Sequence, residues 1–478
     1  MIGFTEDNRT IRADHYRAVL VGLQTGLAAE AERSMEELTR LAEAAGIEVL
    51  ALMLQSRERP DGAAYLGKGK VEELAEMCAA MEADTVVVND ELSGIQYRNL
   101  ENRLGVKVID RTMLILDIFA GRAVSREGKL QVELAQLQYR LPRLHGYGKA
   151  LSRLGGGIGT RGPGEKKLET DRRHIQSRMD EIKRELREAR GSRQTRRARR
   201  EKSGIPVAAL VGYTNSGKSA IMNRILSSVE KEEKAVKEED MLFATLDTFQ
   251  RSIRLSSNHQ FILTDTVGFV SKLPHTLVDA FKATLEEVVY ADLLLHVVDA
   301  ADPNREFQTE VTEQVLKELG AGEKDVLLVY NKTDLLEDDE SGGEGNSPES
   351  RESAGTGERP ENGGSGENDE GENVPAPLPG ERLFEKGKIP GKNVVWVSAR
   401  SGENMEELLE LIKARLFADR RRVALLIPYH RGDLTSYLCE KYQAERLEYR
   451  PEAVYLEAEL SPEDRRRLEP YLFRQAGE

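Results

Sequence analysis

The sequence predicts an α/β protein built around a mostly parallel, doubly wound sheet. Apolar runs typical of buried strands alternate with amphipathic runs typical of helices along most of the chain. The Gly-rich segment GYTNSGKS, from Gly212 to Ser219, follows the apolar run Val207 to Val211. It precedes Ala220 to Leu226, which is predicted to be the start of a helix. This order of strand, loop and helix is the setting in which a Gly-rich loop binds phosphate groups.

The length of 478 residues suggests about three globular domains. We predict a small α/β domain at 1–150, a Gly-rich loop with a basic helical hairpin at 151–204, a P-loop domain with a parallel sheet at 205–418, and a small α+β domain at 419–478.

The first region alternates strand and helix patterns. Predicted strands are Ala18 to Leu23, Ile47 to Met53 and Thr85 to Val88, and predicted helices are Ala28 to Ala45 and Val71 to Met81. The segment GKGK, Gly67 to Lys70, is interpreted as a Gly turn before a helix, with a miniature phosphate loop as the alternative.

The region from Lys166 to Lys202 is polar and helical, and we predict two helices packed as a hairpin. Its apolar stripe comprises Leu168, Ile175, Met179, Ile182 and Leu186, and a dense basic face follows at Arg187, Arg190, Arg193, Arg196, Arg197, Arg199, Arg200 and Lys202. RNA phosphate is one counterion for this face, and a solvated helix surface is the alternative. The preceding GGGIGTRGPGEKK, Gly155 to Lys167, is either an RNA-contacting loop or a linker.

In the P-loop domain the predicted strands are Val207 to Val211, Ser252 to Leu255, Phe261 to Thr264, Leu293 to Val298, Val326 to Tyr330 and Val394 to Val397. Beyond Arg420, strands near Val423 to Ile427 and Ala453 to Glu457 accompany helices near Leu434 to Tyr442 and Pro462 to Tyr471.

The residue types of the Gly-rich loop match phosphate and magnesium chemistry. Gly212 and Gly217 let backbone N–H groups point at phosphate oxygens, Lys218 adds positive charge, and the Ser219 hydroxyl is a magnesium ligand. Farther along, DTVG begins at Asp265, which can hold magnesium through water, and ends at Gly268, where the backbone can approach a γ-phosphate.

Two later segments read a nucleotide base: NKTD, Asn331 to Asp334, and SAR, Ser398 to Arg400. The Asp334 carboxylate can accept two parallel hydrogen bonds, from guanine N1–H and from the exocyclic amine, and adenine offers no such donor pair. Four motifs in this order predict a GTPase that uses Mg²⁺.

Phe269, directly after DTVG, occupies the position where many GTPases place a Gln that orients the attacking water. A phenyl ring makes no such hydrogen bond, so we expect slow basal hydrolysis. The alternative role of Phe269, a core aromatic that anchors the segment, is compatible with the first.

The formal charge of −14 is concentrated in one insert, because Leu335 to Gly380 holds thirteen acidic and two basic residues. The insert, placed near 335–392, is poor in apolar residues and is predicted to be disordered. Two cysteines, seven histidines without metal-ligand spacing and no long apolar run predict a cytoplasmic protein with neither a disulfide framework nor a membrane span. The first residues do not form a secretory signal.

Several longer segments resemble the HflX family of ribosome-associated GTPases. They are ELSGIQYRNLE from Glu91, RTMLILDIFAGRAVSREGKLQVELAQLQYRLPRL from Arg111, GGGIGTRGPGE, GYTNSGKS, FATLD from Phe243, and DTVGF. The resemblance covers nearly the whole chain outside the acidic insert. It implies that the N-terminal and hairpin regions bind the large ribosomal subunit and its rRNA, that GTP hydrolysis governs release, and that stalled ribosomes are split or rescued under stress.

The resemblance also assigns Thr245 as the switch threonine that completes magnesium coordination. We therefore expect Ser219 and Thr245 as metal ligands, and Lys218, Thr245 and Gly268 as catalytic residues. The full set of expected nucleotide-binding residues is Gly212, Tyr213, Thr214, Asn215, Ser216, Gly217, Lys218, Ser219, Phe243, Ala244, Thr245, Leu246, Asp247, Asp265, Thr266, Val267, Gly268, Asn331, Lys332, Thr333, Asp334, Ser398, Ala399 and Arg400.

Two other functions remain open at this point. One is a scaffold that binds RNA through its basic hairpin and uses nucleotide only to hold a conformation, and the monomeric state that we expect of the GTPase is a separate expectation. The other is an RNA-remodelling purine NTPase whose first domain binds ATP, with Gly67 to Lys70 as the candidate site.

Overall fold

The computed structural model describes residues 16–143, 163–229, 243, 249–256, 259–272, 285–336, 393–442, 444 and 446–473. The predicted loop at 155–162, residues 244–247 of FATLD and most of the acidic insert, at 337–392, lie outside these ranges. The α/β fold class with a P-loop domain is confirmed.

The N-terminal domain is a four-stranded parallel sheet in the order β2-β1-β3-β4. Its elements are β1 (Arg17–Gln24), α1 (Ala28–Ala44), β2 (Glu48–Ser56), α2 (Lys68–Ala80), β3 (Thr85–Val88), α3 (Gly94–Leu104), β4 (Lys107–Asp110) and α4 (Arg111–Arg122). Apolar residues fill both faces of the sheet, with α1 and α4 on one face and α2 and α3 on the other. Ser93 and Asp110 begin α3 and α4 by accepting hydrogen bonds from the N–H groups of Gln96 and Met113.

A long helical hairpin links this domain to the next one. It pairs α5 (Arg126–Arg143) with α6 (Pro163–Ser203), a single helix of 41 residues. The prediction of two helices within 166–202 was wrong, because the apolar stripe of this segment packs on α5. Ile175, Met179, Ile182 and Leu186 meet Leu130, Leu134, Leu137 and Leu141 there.

The P-loop domain contains a six-stranded sheet in the order β10-β9-β8-β5-β7-β6. Its strands are β5 (Val207–Val211), β6 (Phe249–Ser256), β7 (His259–Asp265), β8 (Leu293–Asp299), β9 (Val326–Asn331) and β10 (Val394–Trp396), and its helices are α7 (Lys218–Val229), α8 (Arg305–Glu318) and α9 (Met405–Leu416). Every pairing is parallel except that of β6 with β7 at one edge. The carboxyl ends of the parallel strands therefore meet along one edge of the sheet.

The C-terminal domain is a three-stranded antiparallel sheet in the order β11-β13-β12. Its elements are β11 (Arg421–Pro428), α10 (Gly432–Tyr442), β12 (Arg446–Tyr449), β13 (Ala453–Leu460) and α11 (Pro462–Arg467). The helix predicted through Tyr471 ends at Arg467, and a 3-10 turn at Glu469–Tyr471 follows. In this chain's described ranges, no helix is long and apolar enough to cross a membrane, and both cysteines are free thiols.

Candidate nucleotide-binding site

The loop from Gly212 to Ser219 joins β5 to α7, and two of its glycines are required by the backbone. A Cβ atom on Gly212, which has φ of +146°, would lie 2.2 Å from the Val297 carbonyl oxygen. On Gly217, at φ of +91°, it would lie 2.1 Å from Asn331 Nδ2. Side chains are therefore excluded where the loop passes closest to β8 and β9, and the loop keeps its N–H groups available for phosphate.

Lys218 is buried beneath the loop. Its Nζ donates hydrogen bonds to the carbonyl oxygens of Gly212, at 3.1 Å, and Tyr213, at 2.6 Å. Burial lowers the pKa of Lys218 to about 8, the charge of Lys332 adds to the lowering, and Asp265 opposes it. A phosphate group held by the loop would restore the charged form of this ammonium group.

An oxygen donor set suited to magnesium lies at the start of α7. The Ser219 hydroxyl donates a hydrogen bond of 2.6 Å to Oδ2 of Asp265, whose side chain is fully buried at the end of β7. A hydroxyl and a carboxylate are hard oxygen ligands of the kind Mg²⁺ prefers. The residues present therefore fit the ion. The third expected partner, Thr245, lies outside the described residues.

The segment after Asp265 closes directly onto the phosphate loop. The N–H of Thr214 donates to the Phe269 carbonyl at 2.8 Å, and the N–H of Phe269 donates to the Gly212 carbonyl at 3.1 Å. A Cβ on Gly268 would lie 2.8 Å from Thr214 Cα, so this approach requires glycine. The Phe269 ring is buried in the core, which fits the anchoring role expected of it.

The base-reading segments meet at the ends of β9 and β10. Asn331 bridges them, because its Nδ2 donates to the Ser216 carbonyl at 3.0 Å and its Oδ1 accepts from the Ala399 N–H at 3.0 Å. The Ser398 hydroxyl donates to Asp334 Oδ1 at 2.6 Å and so orients that carboxylate. Lys332 pairs with Asp299 at 2.7 Å. The structure therefore gathers all four motifs at one edge of the sheet.

Arg224 and Gly402 also shape this edge, although no sequence argument singled them out. Gly402 has φ of +91°, and a Cβ there would lie 1.8 Å from Arg224 Nη2, which donates to the Ser401 carbonyl at 3.0 Å. The only available signal was a glycine shortly after SAR. Arg400 itself is exposed, and Thr333 donates to Glu403 at 3.2 Å.

The N-terminal domain contacts the nucleotide site through a buried polar network. The Glu37 carboxylate of α1 accepts hydrogen bonds from the Tyr213 hydroxyl, the Ser271 hydroxyl and the Arg111 guanidinium. Arg111 also donates to the Ser271 carbonyl at 3.2 Å, and Ser271 N–H donates to the Tyr213 hydroxyl at 2.8 Å. Burial, then the Glu37 charge, raise the pKa of Tyr213 above its usual value, so the phenol stays protonated as a donor.

Two further contacts tie the predicted switch segments to the N-terminal domain. Phe243, the described residue of FATLD, packs edge-on against Phe119 of α4 with ring centroids 4.5 Å apart. Lys272 pairs with Asp90 at 2.8 Å. Sequence reasoning missed this whole contact, because its members are far apart in the chain and follow no motif.

Two other sequence candidates fall outside the site. Gly67 is the residue before α2, a Cβ there would lie 3.1 Å from Gln55 Nε2, and Lys70 pairs with Glu73 at 2.7 Å. The Gly-turn interpretation of this segment accounts for these contacts. On α6, Arg190 pairs with Glu286 at 2.6 Å, and the side chains of Arg193, Arg196, Arg197, Arg199 and Arg200 lie outside the description.

A phosphate loop, a Ser–Asp oxygen pair and an oriented base-reading carboxylate on one sheet edge define a P-loop GTPase. Family models described as GTP-binding GTPase N-terminal, GTP-binding GTPase Middle Region and 50S ribosome-binding GTPase match residues 32–120, 122–200 and 207–332.

Relatives named GTPase HflX match over most of the chain. The one from Caldanaerobacter subterraneus is 43% identical and aligns over 96% of this chain and 94% of its own length. The one from Escherichia coli is 39% identical over 87% of this chain and 85% of its own. The chain belongs to the HflX family of GTPases and is a GTP hydrolase.

Among solved structures, a GTP-binding protein from Sulfolobus solfataricus in complex with GDP covers 84% of this chain and 98% of its own, with 22% identity and a TM-score of 0.41.

Proposed function

We propose that this GTPase binds the large ribosomal subunit and its rRNA, and that GTP binding and hydrolysis control this association, so that stalled ribosomes are split or rescued under stress. The observation that carries the proposal is the match of residues 207–332 to the family described as 50S ribosome-binding GTPase. The proposal includes a monomer acting in the cytoplasm.

Ser219 and Thr245 would supply hydroxyl ligands to a bound Mg²⁺, and Asp265 would hold the ion through water. The ion would supply positive charge that offsets the charge of the phosphate oxygens. Lys218 and the loop N–H groups orient the γ-phosphate, and the Gly268 backbone approaches it. Asp334, oriented by Ser398, accepts from the guanine N1–H and amine.

The proposal couples hydrolysis to ribosome contact through Phe269. Because the Phe269 ring is buried and cannot orient water, the protein alone turns over GTP slowly. The second part of the proposal is that the large subunit accelerates this hydrolysis. Ser271 and Lys272, two and three residues beyond Phe269, contact Glu37 and Asp90 of the N-terminal domain. Movement of that domain on the ribosome would thereby reach the segment that closes on the phosphate loop.

The basic end of α6 supplies the proposed rRNA contact. Arginines at 193, 196, 197, 199 and 200 would neutralise RNA phosphates and release counterions, so binding should weaken steeply with salt.

Sedimentation with large ribosomal subunits tests the proposal, using a non-hydrolysable GTP analogue over a salt series. A variant with Glu at 196, 197, 199 and 200 should bind more weakly and with a flatter log-log salt slope, while its GTP affinity stays near that of the parent. Its control places Glu at Arg421, Arg465 and Arg466 of the C-terminal domain. Equal sedimentation of parent and hairpin variant would refute the rRNA contact, and hydrolysis unchanged by the subunit would favour a nucleotide-gated scaffold.

A further inference from the structure

A cavity of about 300 Å³ lies between α1 of the N-terminal domain and the phosphate loop, beside the contact of Glu37 with Tyr213. One wall is formed by Thr214 and Asn215 of the loop, and the facing wall by Arg33 and Arg40 of α1. We propose that Arg40 enters this cavity when GTP is bound and contacts the phosphates as a catalytic arginine supplied by the same chain. The proposal concerns GTP hydrolysis itself and does not depend on ribosome binding.

The loop side of the cavity carries a buried polar atom without a hydrogen-bond partner. Thr214 is only 5% exposed, and within the described part of the chain its Oγ1 has no hydrogen-bond partner. The neighbouring Asn215 has φ of +61°, which turns the loop at this point. Phosphates bound along the loop from Gly212 to Ser219 would therefore lie next to the cavity, within the region that a side chain from α1 can enter.

The carboxylates that line the cavity leave Arg40 only weakly held. Of the four, Glu37 is neutralised by Arg111, Asp299 is neutralised by Lys332, and Glu36 is exposed to solvent. The fourth, Asp302, lies 3.7 Å from Arg40 Nη1, and the Arg40 side chain remains 58% exposed. An exposed pair at this distance contributes little free energy, so Arg40 can exchange Asp302 for a phosphate at small cost.

Asp302 is fixed in position by its neighbours and pairs with Arg40. Its carboxylate accepts hydrogen bonds from the Asn304 N–H and from Gln308 Nε2, both at 2.8 Å, and is 11% exposed. Arg33 differs, because its guanidinium stacks 5.1 Å from the Phe307 ring centre and its Nε donates to the Ala29 carbonyl at 3.3 Å. Arg33 is thus a matched control, a guanidinium on the same wall that is committed to packing.

The chemistry explains why a further cation is useful here. Water attacks the γ-phosphorus, the bond from that phosphorus to the β–γ bridging oxygen breaks, and GDP, inorganic phosphate and a proton leave. Negative charge shifts towards the β-phosphate oxygens in this step. Phe269 offers no polar group to the reaction, whereas a guanidinium presents a planar fork of donors to phosphate oxygens.

Single-turnover GTP hydrolysis by the purified protein alone tests the proposal. Arg40→Ala should slow hydrolysis by about 100-fold or more, since such arginines typically contribute 10³-fold or more in related reactions. Its GDP affinity should stay within about threefold of the parent, and Arg40→Lys should recover only part of the rate. Arg33→Ala should change the rate less than about threefold. A rate for Arg40→Ala within about threefold of the parent overturns the proposal.

A second variant separates catalysis from domain bridging. Asp302→Asn keeps the side-chain oxygen that accepts from the Asn304 N–H, loses the acceptor for Gln308 Nε2, and removes the ion pair with Arg40. If Arg40 acts on phosphate, this variant hydrolyses GTP at least as fast as the parent. If Asp302→Asn is slowed as much as Arg40→Ala, then Arg40 acts by holding the two domains together and the proposal fails.

Discussion

Two of the contacts that the GTPase domain makes with its neighbours lie at different places on its sheet. The N-terminal domain meets the phosphate loop and the segment after DTVG, through Glu37, Arg111 and Phe119. The C-terminal domain meets the antiparallel edge of the sheet, where His259 of β7 pairs with Glu459 of β13 at 2.9 Å.

The two contacts also differ in chemistry. In the first contact, the Glu37 and Arg111 side chains are 12% and 3% exposed, and both make further hydrogen bonds. Burial lowers the pKa of His259, so at neutral pH its contact with Glu459 is mostly a hydrogen bond from a neutral imidazole and not an ion pair. The first contact is therefore sensitive to movements of the nucleotide-binding segments, and the second serves mainly as attachment.

The largest predicted effect tests this difference in stability. Glu37→Gln leaves the buried Arg111 without its counter-charge and should cost about 3 kcal/mol of unfolding free energy. Glu459→Gln should cost less than about 1 kcal/mol. Urea unfolding followed through Trp396, the single tryptophan of the chain, measures both. Equal losses would remove the distinction between the two contacts.

Recognition of the guanine base should not depend on the contacts with the N-terminal and C-terminal domains. Asp334→Asn replaces one of the two acceptor oxygens with an NH₂ donor, which cannot accept the hydrogen bond from the guanine amine. GTP affinity should therefore fall by about 100-fold, ~2.7 kcal/mol. Xanthosine triphosphate should gain affinity, because its 2-oxo group needs a donor. Calorimetric titration of both nucleotides measures the exchange. Unchanged GTP affinity would show that another group reads the base.

A buried histidine inside the sheet of the GTPase domain should make the free energy of unfolding depend on pH. His296 of β8 is fully buried, and burial together with Lys218 lowers its pKa from 6.5 to about 3. As pH falls, His296 takes up a proton in the unfolded chain before it does so in the folded protein. Its contribution to the free energy of unfolding is therefore fully present above pH 6.5 and is lost as the pH falls towards 3. His296→Leu should remove about 2 kcal/mol of the stability difference between neutral pH and about pH 5. Parallel pH curves for parent and variant would contradict this account.

The acidic insert should have the smallest effect on the site. The two motifs that flank the insert are held together by direct hydrogen bonds, from Ser398 to Asp334 and from the Ala399 N–H to Asn331. Deleting residues 340–380 should change GTP affinity by less than about tenfold, ~1.4 kcal/mol. A larger loss, measured by GTP titration, would mean that the insert packs on the base site.

The sequence points to the candidate nucleotide site because phosphate, magnesium and guanine dictate residue types at short spacings, and the structure brings these motifs together. Gly212, Lys218 and Asp334 are recognisable for this reason. The contact of Glu37 with Ser271 spans 234 positions, and a single glutamate on an amphipathic helix gives no local signal. The partner of α6 was missed for a similar reason, since the stripe on α5 reads equally well as core of the N-terminal domain. The strand β4 was missed because its sequence KVID holds only two apolar residues, whereas the equally short β3 holds three consecutive valines.

Hydrogen exchange of backbone amides in the GDP-bound protein and in the protein bound to a non-hydrolysable GTP analogue tests the central claim most directly. If the N-terminal domain is coupled to the nucleotide through Glu37 and Ser271, protection in α1 and α4 should change between the two nucleotides, while α10 of the C-terminal domain stays the same. Identical exchange in α1 and α4 with both nucleotides would contradict the coupling.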